Sequence, residues 1–396
     1  MAYGDILSGI LDVQLVDATG AWSIHSEKVA DGIVAIIWSD GSNHGWCRTY
    51  PIAADGTVGL LIEELEFDPT FYFARQHNIV EVAERIWLVM YRGPLTKLKA
   101  VTISIGADGT GIAVKDSLTT ALACPTACEY AAKKGTTNTC YVAVWYDGDQ
   151  DGQMATFTCD SDGDNITLAD NWEFEPVKAY LPQVEYISGD IFAISYNDSL
   201  GVGQISTVAV ADDGTITELL INTQEVDAVN NSLNINMAKI GNGDLVFLAY
   251  SSTPGGAGLM ATLTIDNLGV ISAPIDTGTY DVFDGSGDKA IKLGTSSDVS
   301  YVMIYYFNTD DGADVIRTFS VAADGTISAE IDSLVIQDVT ADAASWAAEV
   351  RVNLWVFPYS ANSDTYFNTA KVDTVQEVAG GQGASMADTL VKAALI

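Results

Sequence analysis

The chain has 396 residues, with 53 Asp and Glu against 18 Lys and Arg, giving a formal net charge of −35. A phosphate backbone or an anionic bilayer is gripped by stripes of Lys and Arg, which this composition lacks, so nucleic-acid binding and membrane insertion are both set aside. Hydrophobic residues make up 48% and charged residues 18%, enough apolar material for packed cores and too much for a disordered chain.

The first twenty residues, MAYGDILSGILDVQLVDATG, hold no basic run followed by an apolar stretch, so no secretory signal is expected. No segment approaches the ~18 apolar residues of a membrane-crossing helix. ILDVQLVDATG reads as a strand, and residues 1–24 are expected to form an N-terminal closing strand segment.

From residue 25 to 379 the sequence repeats, the feature to seek first in a chain of this length. The first copy opens on a short strand, SEKVADG, and continues into an apolar run, VAIIWSD, that ends in an aromatic at Trp38. Such runs recur as WLVMYRG (Tyr91), VAVWYDG (Tyr146), FAISYND (Tyr196), VFLAYSS (Tyr250), VMIYYFN (Tyr306) and WVFPYS (Tyr359), 50 to 56 residues apart. A strand apolar on both faces lies between two neighbouring sheets. Each run is followed by a polar loop and then an alternating strand such as VTISIGADG or STVAVADDG, which has one buried face. The alternating strand ends in a tight turn: Asp55-Gly56, Asp108-Gly109, Asp162-Gly163, Asp213-Gly214, Leu268-Gly269 and Asp324-Gly325. Asp-Gly tolerates the positive φ of a hairpin turn. A return strand follows, as in TVGLLIEEL or TITELLINT.

One unit is therefore four strands, and seven units of about 50 residues predict an all-β, seven-bladed β-propeller of four-stranded antiparallel blades. Trp38 is preceded by 37 residues and Tyr359 is followed by 37. Both termini are thus expected to share one blade and close the ring, with YFNTAKVDTVQEV as the C-terminal contribution. Residues 380–396, GGQGASMADTLVKAALI, read as a glycine linker and an apolar docking tail.

The stretch PQVEYISGDIFAISYNDSLGVGQISTVAVADDGTITE resembles repeats of large bacterial surface propellers and of tailed-phage virion proteins through Pro182, Val184, Gly189-Asp190, Phe192, Tyr196 and Asp213-Gly214. The resemblance implies a fold and leaves the activity open. The Ala-Asp-Gly-Thr turns also look like the Asp-box hairpins of sialidases, but Val58 and Ile327 stand where that motif has Trp. Six arginines in the whole chain also leave little for a sialidase's arginine cluster.

Asp147-Gly-Asp149-Gln-Asp151-Gly matches the first half of a Ca²⁺ loop, in which alternating carboxylates converge on a hard cation. The closing acid is missing, because residue 158 is Thr158, so an EF-hand is ruled out. Asp147, Asp149 and Asp151 remain the metal candidates, against the plainer reading that Asp-Gly runs form turns. Asp160/Asp162/Asp164, Asp284/Asp288 and Asp310/Asp311/Asp314 are weaker clusters of the same kind. Five cysteines, Cys47, Cys124, Cys128, Cys140 and Cys159, lack zinc-knuckle spacing and read as small buried side chains. Cys140 and Cys159 fall on adjacent strands. Trp46 and Trp172 are placed in loops, where an aromatic can stack on a sugar or a partner, and are the ligand-binding candidates.

Three histidines, no Gly-x-Ser-x-Gly, no His-Glu-x-x-His and no Walker loop point away from an enzyme. The expectation is a non-enzymatic structural or recognition propeller of a virion, assembled in the host cytoplasm as a phage tail, fibre or capsid-associated protein. It would belong to a homo- or hetero-oligomer that touches other assembly proteins or a host-surface glycan. The alternatives are a cell-surface glycan-binding adhesin and, because glycoside hydrolysis needs only two carboxylates, a polysaccharide-acting glycosidase.

Overall fold

The computed structural model describes residues 6–17, 21–70, 79–125, 130–135, 140–226, 233–240, 244–252, 256–281, 285–296, 299–308, 313–337, 341–344, 347–361 and 364–372. The expected tail at 380–396, Cys128, Asp284, Asp310 and Asp311 lie outside these residues.

The chain begins with β1 (Asp12–Asp17), whose place is in the last blade. Blade one is β2 (Ala21–Ala30), β3 (Ile33–Asp40), β4 (Gly45–Pro51) and β5 (Glu63–Asp68). Blade two is β6 (Ile79–Ala83), β7 (Ile86–Arg92), β8 (Lys97–Ser104) and β9 (Ala113–Ala123). Blade three is β10 (Tyr130–Lys133), β11 (Cys140–Tyr146), β12 (Gly152–Thr158) and β13 (Thr167–Glu175). Blade four is β14 (Tyr180–Ser188), β15 (Ile191–Asn197), β16 (Gly203–Ala209) and β17 (Asn222–Glu225). Blade five is β18 (Leu233–Lys239), β19 (Leu245–Ser251), β20 (Gly258–Thr264) and β21 (Asp276–Asp281). Blade six is β22 (Gly285–Ser296), β23 (Val299–Asn308), β24 (Ala313–Ala322) and β25 (Asp332–Gln337). Blade seven has an inner strand in two pieces, β26 (Ala341–Ala344) and β27 (Ala348–Arg351), then β28 (Leu354–Ala361) and β29 (Asp364–Lys371). Its outer strand is β1, antiparallel to β29, so both ends of the chain close the ring as the sequence predicts.

Most first strands touch the first strands of adjacent blades and so line the axis. The second strands fill the spaces between sheets: β11, β15 and β19 are buried along their whole length. Seven apolar clusters result, most of them spanning one inter-blade seam. The cross-strand partners correct one repeat marker. Ser39, Tyr146 and Asn197 occupy the same rung, opposite Gly45, Gly152 and Gly203. Trp145, not Tyr146, is therefore the equivalent of Trp38 and Tyr196.

The Asp-Gly turns do more than reverse the chain. Their glycines have φ between +82° and +93°, and across four of the six turns a single bridge forms: Ile52 with Val58, Val210 with Ile216, Ile265 with Ile271 and Val321 with Ile327. In blade one the outer strand proper starts only at Glu63, later than the expected TVGLLIEEL strand. The reason is that the N–H after the turn is given to the neighbouring blade. Val58 donates to Asp12 (2.8 Å), Ile112 to Glu63 (3.2 Å), Ile166 to Asp116 (2.8 Å) and Ile216 to Asp170 (2.9 Å). Ile271 donates to Asn222 (3.2 Å), Ile327 to Asp276 (2.8 Å) and Ile6 to Asp332 (2.9 Å). These seven bonds run once round the ring, each from one blade to the outer strand before it.

A second set runs beneath them. Thr49, Thr102, Thr156, Thr207, Thr262 and Thr369 are fully buried on third strands. Each donates its hydroxyl to the turn-glycine carbonyl of the next blade, Gly109, Gly163, Gly214, Gly269, Gly325 and Gly56, at 2.6 to 2.8 Å. A neutral hydrogen bond of this kind contributes about 1 kcal/mol net, and one to a carboxylate roughly 1.5–3 kcal/mol.

Candidate functional site

One face of the ring carries the loops between second and third strands together with the links from blade to blade; the opposite face carries the Asp-Gly turns. On the first face, three blades build the same hairpin loop. Asp40 Oδ1 accepts the N–H groups of Ser42 (2.8 Å) and His44 (2.9 Å). Asp147 Oδ1 accepts those of Asp149 and Asp151, both at 3.0 Å, and Asp198 Oδ1 those of Leu200 (2.8 Å) and Val202 (2.9 Å). The other oxygen of each aspartate takes a side-chain donor six residues on: Trp46 Nε1 (3.0 Å), Gln153 Nε2 (3.4 Å) or Gln204 Nε2 (3.1 Å). Asn43, Gln150 and Gly201 supply the positive φ that tightens the turn, at +64°, +74° and +78°. Side-chain oxygens of Asp are suited to such local acceptor duty. At Asp40 burial pushes the pKa up, but the hydrogen bonds from His44, Trp46 and Ser42 outweigh it and hold the carboxyl below its ordinary value.

The Asp147-Gly-Asp-Gln-Asp-Gly segment is thus a turn before it is anything else. Asp147 and Asp151 do converge, and Glu173 from β13 joins them, their oxygens lying within 4.8 Å of one another. Asp149 is exposed at the tip of the turn and outside the set. Burial and the charges of Asp147, Glu173, Asp149 and Glu175 push the Asp151 pKa up, as expected for crowded like charges. A recess of about 240 Å³ lies beside them, lined by Leu122, Trp145, Asp147, Gln153, Asn171 and Glu173. Two carboxylates with oxygens to spare, Asp151 and Glu173, are the residues there able to meet a hard cation.

Trp46 and Trp172 lie on strands β4 and β13, not in loops. Trp46 is half-buried, stacks on Trp38 with centroids 6.4 Å apart and gives its indole N–H to Asp40. Trp172 is half-buried against the core between blades three and four. Trp46 pairs with Trp38 near the start of an internal strand, and Trp172 pairs with Met154 on the outer strand of its blade. The exposed apolar side chains of this face are instead Leu95 (89% exposed) and Leu200 (77%) at loop tips and Val177 (64%) in a link. Leu95 and Thr96 both sit at positive φ, +58° and +57°, a conformation that costs a non-glycine residue about 1 kcal/mol or more.

In blades two, three, four and six the aromatic near the end of the apolar run ties a seam on this side. Tyr91 donates to Asp68 of the preceding outer strand, Tyr306 to Asp281 (2.5 Å), Tyr196 to Glu175 (3.4 Å) and Trp145 to the Ala123 carbonyl (2.9 Å). Lys99 adds an ion pair to Asp68 at 2.6 Å. Burial raises the Asp68 pKa, yet Lys99, Tyr91 and Thr70 outweigh it and hold the carboxyl below its ordinary value.

On the axis, Glu27 of β2 is half-buried as a residue while its carboxyl is enclosed by protein. Burial, with the charge of Glu81 on β6, pushes its pKa up to about 8 against a hydrogen bond from Trp87. Lys133 reaches back from β10 to the Val82 carbonyl at 2.6 Å. The four described cysteines, Cys47, Cys124, Cys140 and Cys159, are buried thiols not joined in disulfides; burial pushes the Cys140 thiol up to about 11, away from nucleophilic character.

No family model and no curated protein matches the chain. Solved structures do. Sqt1 of Saccharomyces cerevisiae is 9% identical with a TM-score of 0.51, the match covering 94% of this chain and 100% of that one. A 6-phosphogluconolactonase-like protein of Bacteroides fragilis is 12% identical with a TM-score of 0.53, over 90% and 96% of the two chains. Its counterpart from Bacteroides uniformis is 13% identical with a TM-score of 0.53, over 78% and 83%. At these identities the likeness is one of fold, and the chain is a seven-bladed β-propeller of that architecture.

Proposed function

We propose that the chain is a non-enzymatic recognition and structural propeller of a virion, a phage tail, fibre or capsid-associated protein that contacts other assembly proteins or a host-surface glycan within an oligomer. The observation that carries the reading is the loop frame repeated in blades one, three and four. The anchoring contacts of Asp40, Asp147 and Asp198 are the same, while the tips differ: Gly-Ser-Asn, Gly-Asp-Gln and Ser-Leu-Gly at 41–43, 148–150 and 199–201. A constant frame with varied tips on a rigid ring suits display to a partner. The net charge of −35 keeps such a protein soluble and disfavours like-charged contacts. Replacing the three tips by Gly-Ser turns is expected to leave the fold intact and to abolish incorporation into particles or binding to host cells. Tip variants that assemble and bind like the parent would refute the reading.

A second reading, glycoside hydrolysis, draws on Glu27 and Glu81, a carboxyl held protonated near neutral pH beside an acid on the next blade. Release of reducing sugar from a polysaccharide panel, lost in Glu27→Gln, would move the assignment there; the display reading expects none.

A further inference from the structure

In blades one, three, four and five the third-strand residue one rung past the aromatic of the second strand is glycine: Gly45, Gly152, Gly203 and Gly258. In blade six the same rung, opposite Phe307, holds Asp314. Its side chain is wholly buried at the seam with blade seven. Oδ1 has no hydrogen-bond partner. Oδ2 lies 3.4 Å from the Tyr305 hydroxyl, and that hydroxyl lies 3.1 Å from the Pro358 carbonyl on β28. The titratable groups facing Asp314 are Tyr305 from β23 and Tyr359 from β28, and no cation among the described residues offsets it.

A tyrosine hydroxyl has one hydrogen, and here it faces two acceptors. With Asp314 ionised, the single Tyr305 hydrogen serves either the carboxylate or Pro358 and cannot serve both. With Asp314 protonated, its O–H donates to Tyr305 Oη and Tyr305 donates to Pro358, so both bonds form in one direction across the seam. We propose that Asp314, Tyr305 and Pro358 form a proton-operated latch between the sixth and seventh blades, closed when Asp314 is protonated and loosened when it ionises. Burial, opposed by the Tyr305 hydroxyl, also pushes the Asp314 pKa up to about 7. The latch sits beside the blade that both chain ends complete, where a loosened seam opens the ring.

The test compares full-length protein with Asp314→Asn, which keeps shape and cannot ionise, and with Asp314→Gly, the residue of four other blades. As pH rises from about 3.8 to about 7, the parent's folding equilibrium constant should fall up to tenfold per pH unit relative to Asp314→Asn, and level off above that. Parallel pH profiles overturn the proposal. A readout on the parent alone guards against a variant that does not fold: amide exchange in 354–361, corrected for its intrinsic pH dependence, should accelerate relative to 191–197 as pH rises from about 3.8 to about 7. Equal behaviour of the two segments also overturns it.

Discussion

Asp332 and Ile6, 326 residues apart, are joined by a 2.9 Å hydrogen bond from the Ile6 N–H to the Asp332 carboxylate. It is the counterpart of six bonds between sequential blades, made here by the N-terminal chain in place of an Asp-Gly turn.

Removing that acceptor should open the ring at its closure. Asp332→Ala is expected to destabilise by about 1–3 kcal/mol, the cost of stranding a partly buried donor. Asp332→Asn should cost far less, because Asn222 does the same work in blade four. Urea denaturation of the two variants checks the order.

The threonine staple is tested by Thr207→Val, which keeps the shape and loses the bond to Gly269. The expected loss is about 1 kcal/mol, whereas Thr207→Ser should recover most of it. Identical melting of the Val and Ser variants would deny the staple its role.

Gly214 has φ +89°, and a Cβ there would stand 2.6 Å from the Cβ of Ala169 in blade three. Gly214→Ala is expected to cost more than the ~1 kcal/mol of a left-handed conformation alone, because Ala169 has no rotamer with which to retreat. Differential scanning calorimetry reads the change, and Ala169→Gly should relieve part of it.

Two acids make opposite pH contributions. Glu27, raised from 4.5 to about 8, adds stability that is complete below 4.5 and is lost as pH rises through about 8. Asp68, lowered from 3.8, adds stability present above 3.8 and lost as pH falls through its folded value. Glu27→Gln should therefore flatten the alkaline side of the stability profile, and Asp68→Asn should weaken the protein at pH 7 more than at pH 3. Melting curves across pH 3 to 9 separate them.

Crowding around Asp151 implies that Asp151→Asn raises the melting temperature at low salt, with the gain shrinking as salt screens the cluster. Asp149→Asn, outside the converging set, should change it less.

Strand order, blade number and ring closure were legible because seven two-sided apolar runs, the alternating strands after them and six turn glycines are local signals that recur at a near-constant spacing. The clasps were not. Asp12 and Val58 signal nothing singly, since an acid on an edge strand looks like any solvated charge. The period was there to be found, in Thr49, Thr102, Thr156, Thr207, Thr262, Thr318 and Thr369, which recur on every third strand and are buried in each. Trp46 was misplaced for the same reason that Asp147 invited a cation: the sequence shows which groups are polar or aromatic, whereas the bond between Trp46 and Asp40 appears only once the hairpin has folded.

The fastening of each outer strand to the turn that follows it means that no blade is a terminus. Open arrays of repeats need polar end caps and can fray from either end. Here the first and last units shelter one another, so excising any single unit should forfeit the whole domain in one cooperative step rather than shorten it.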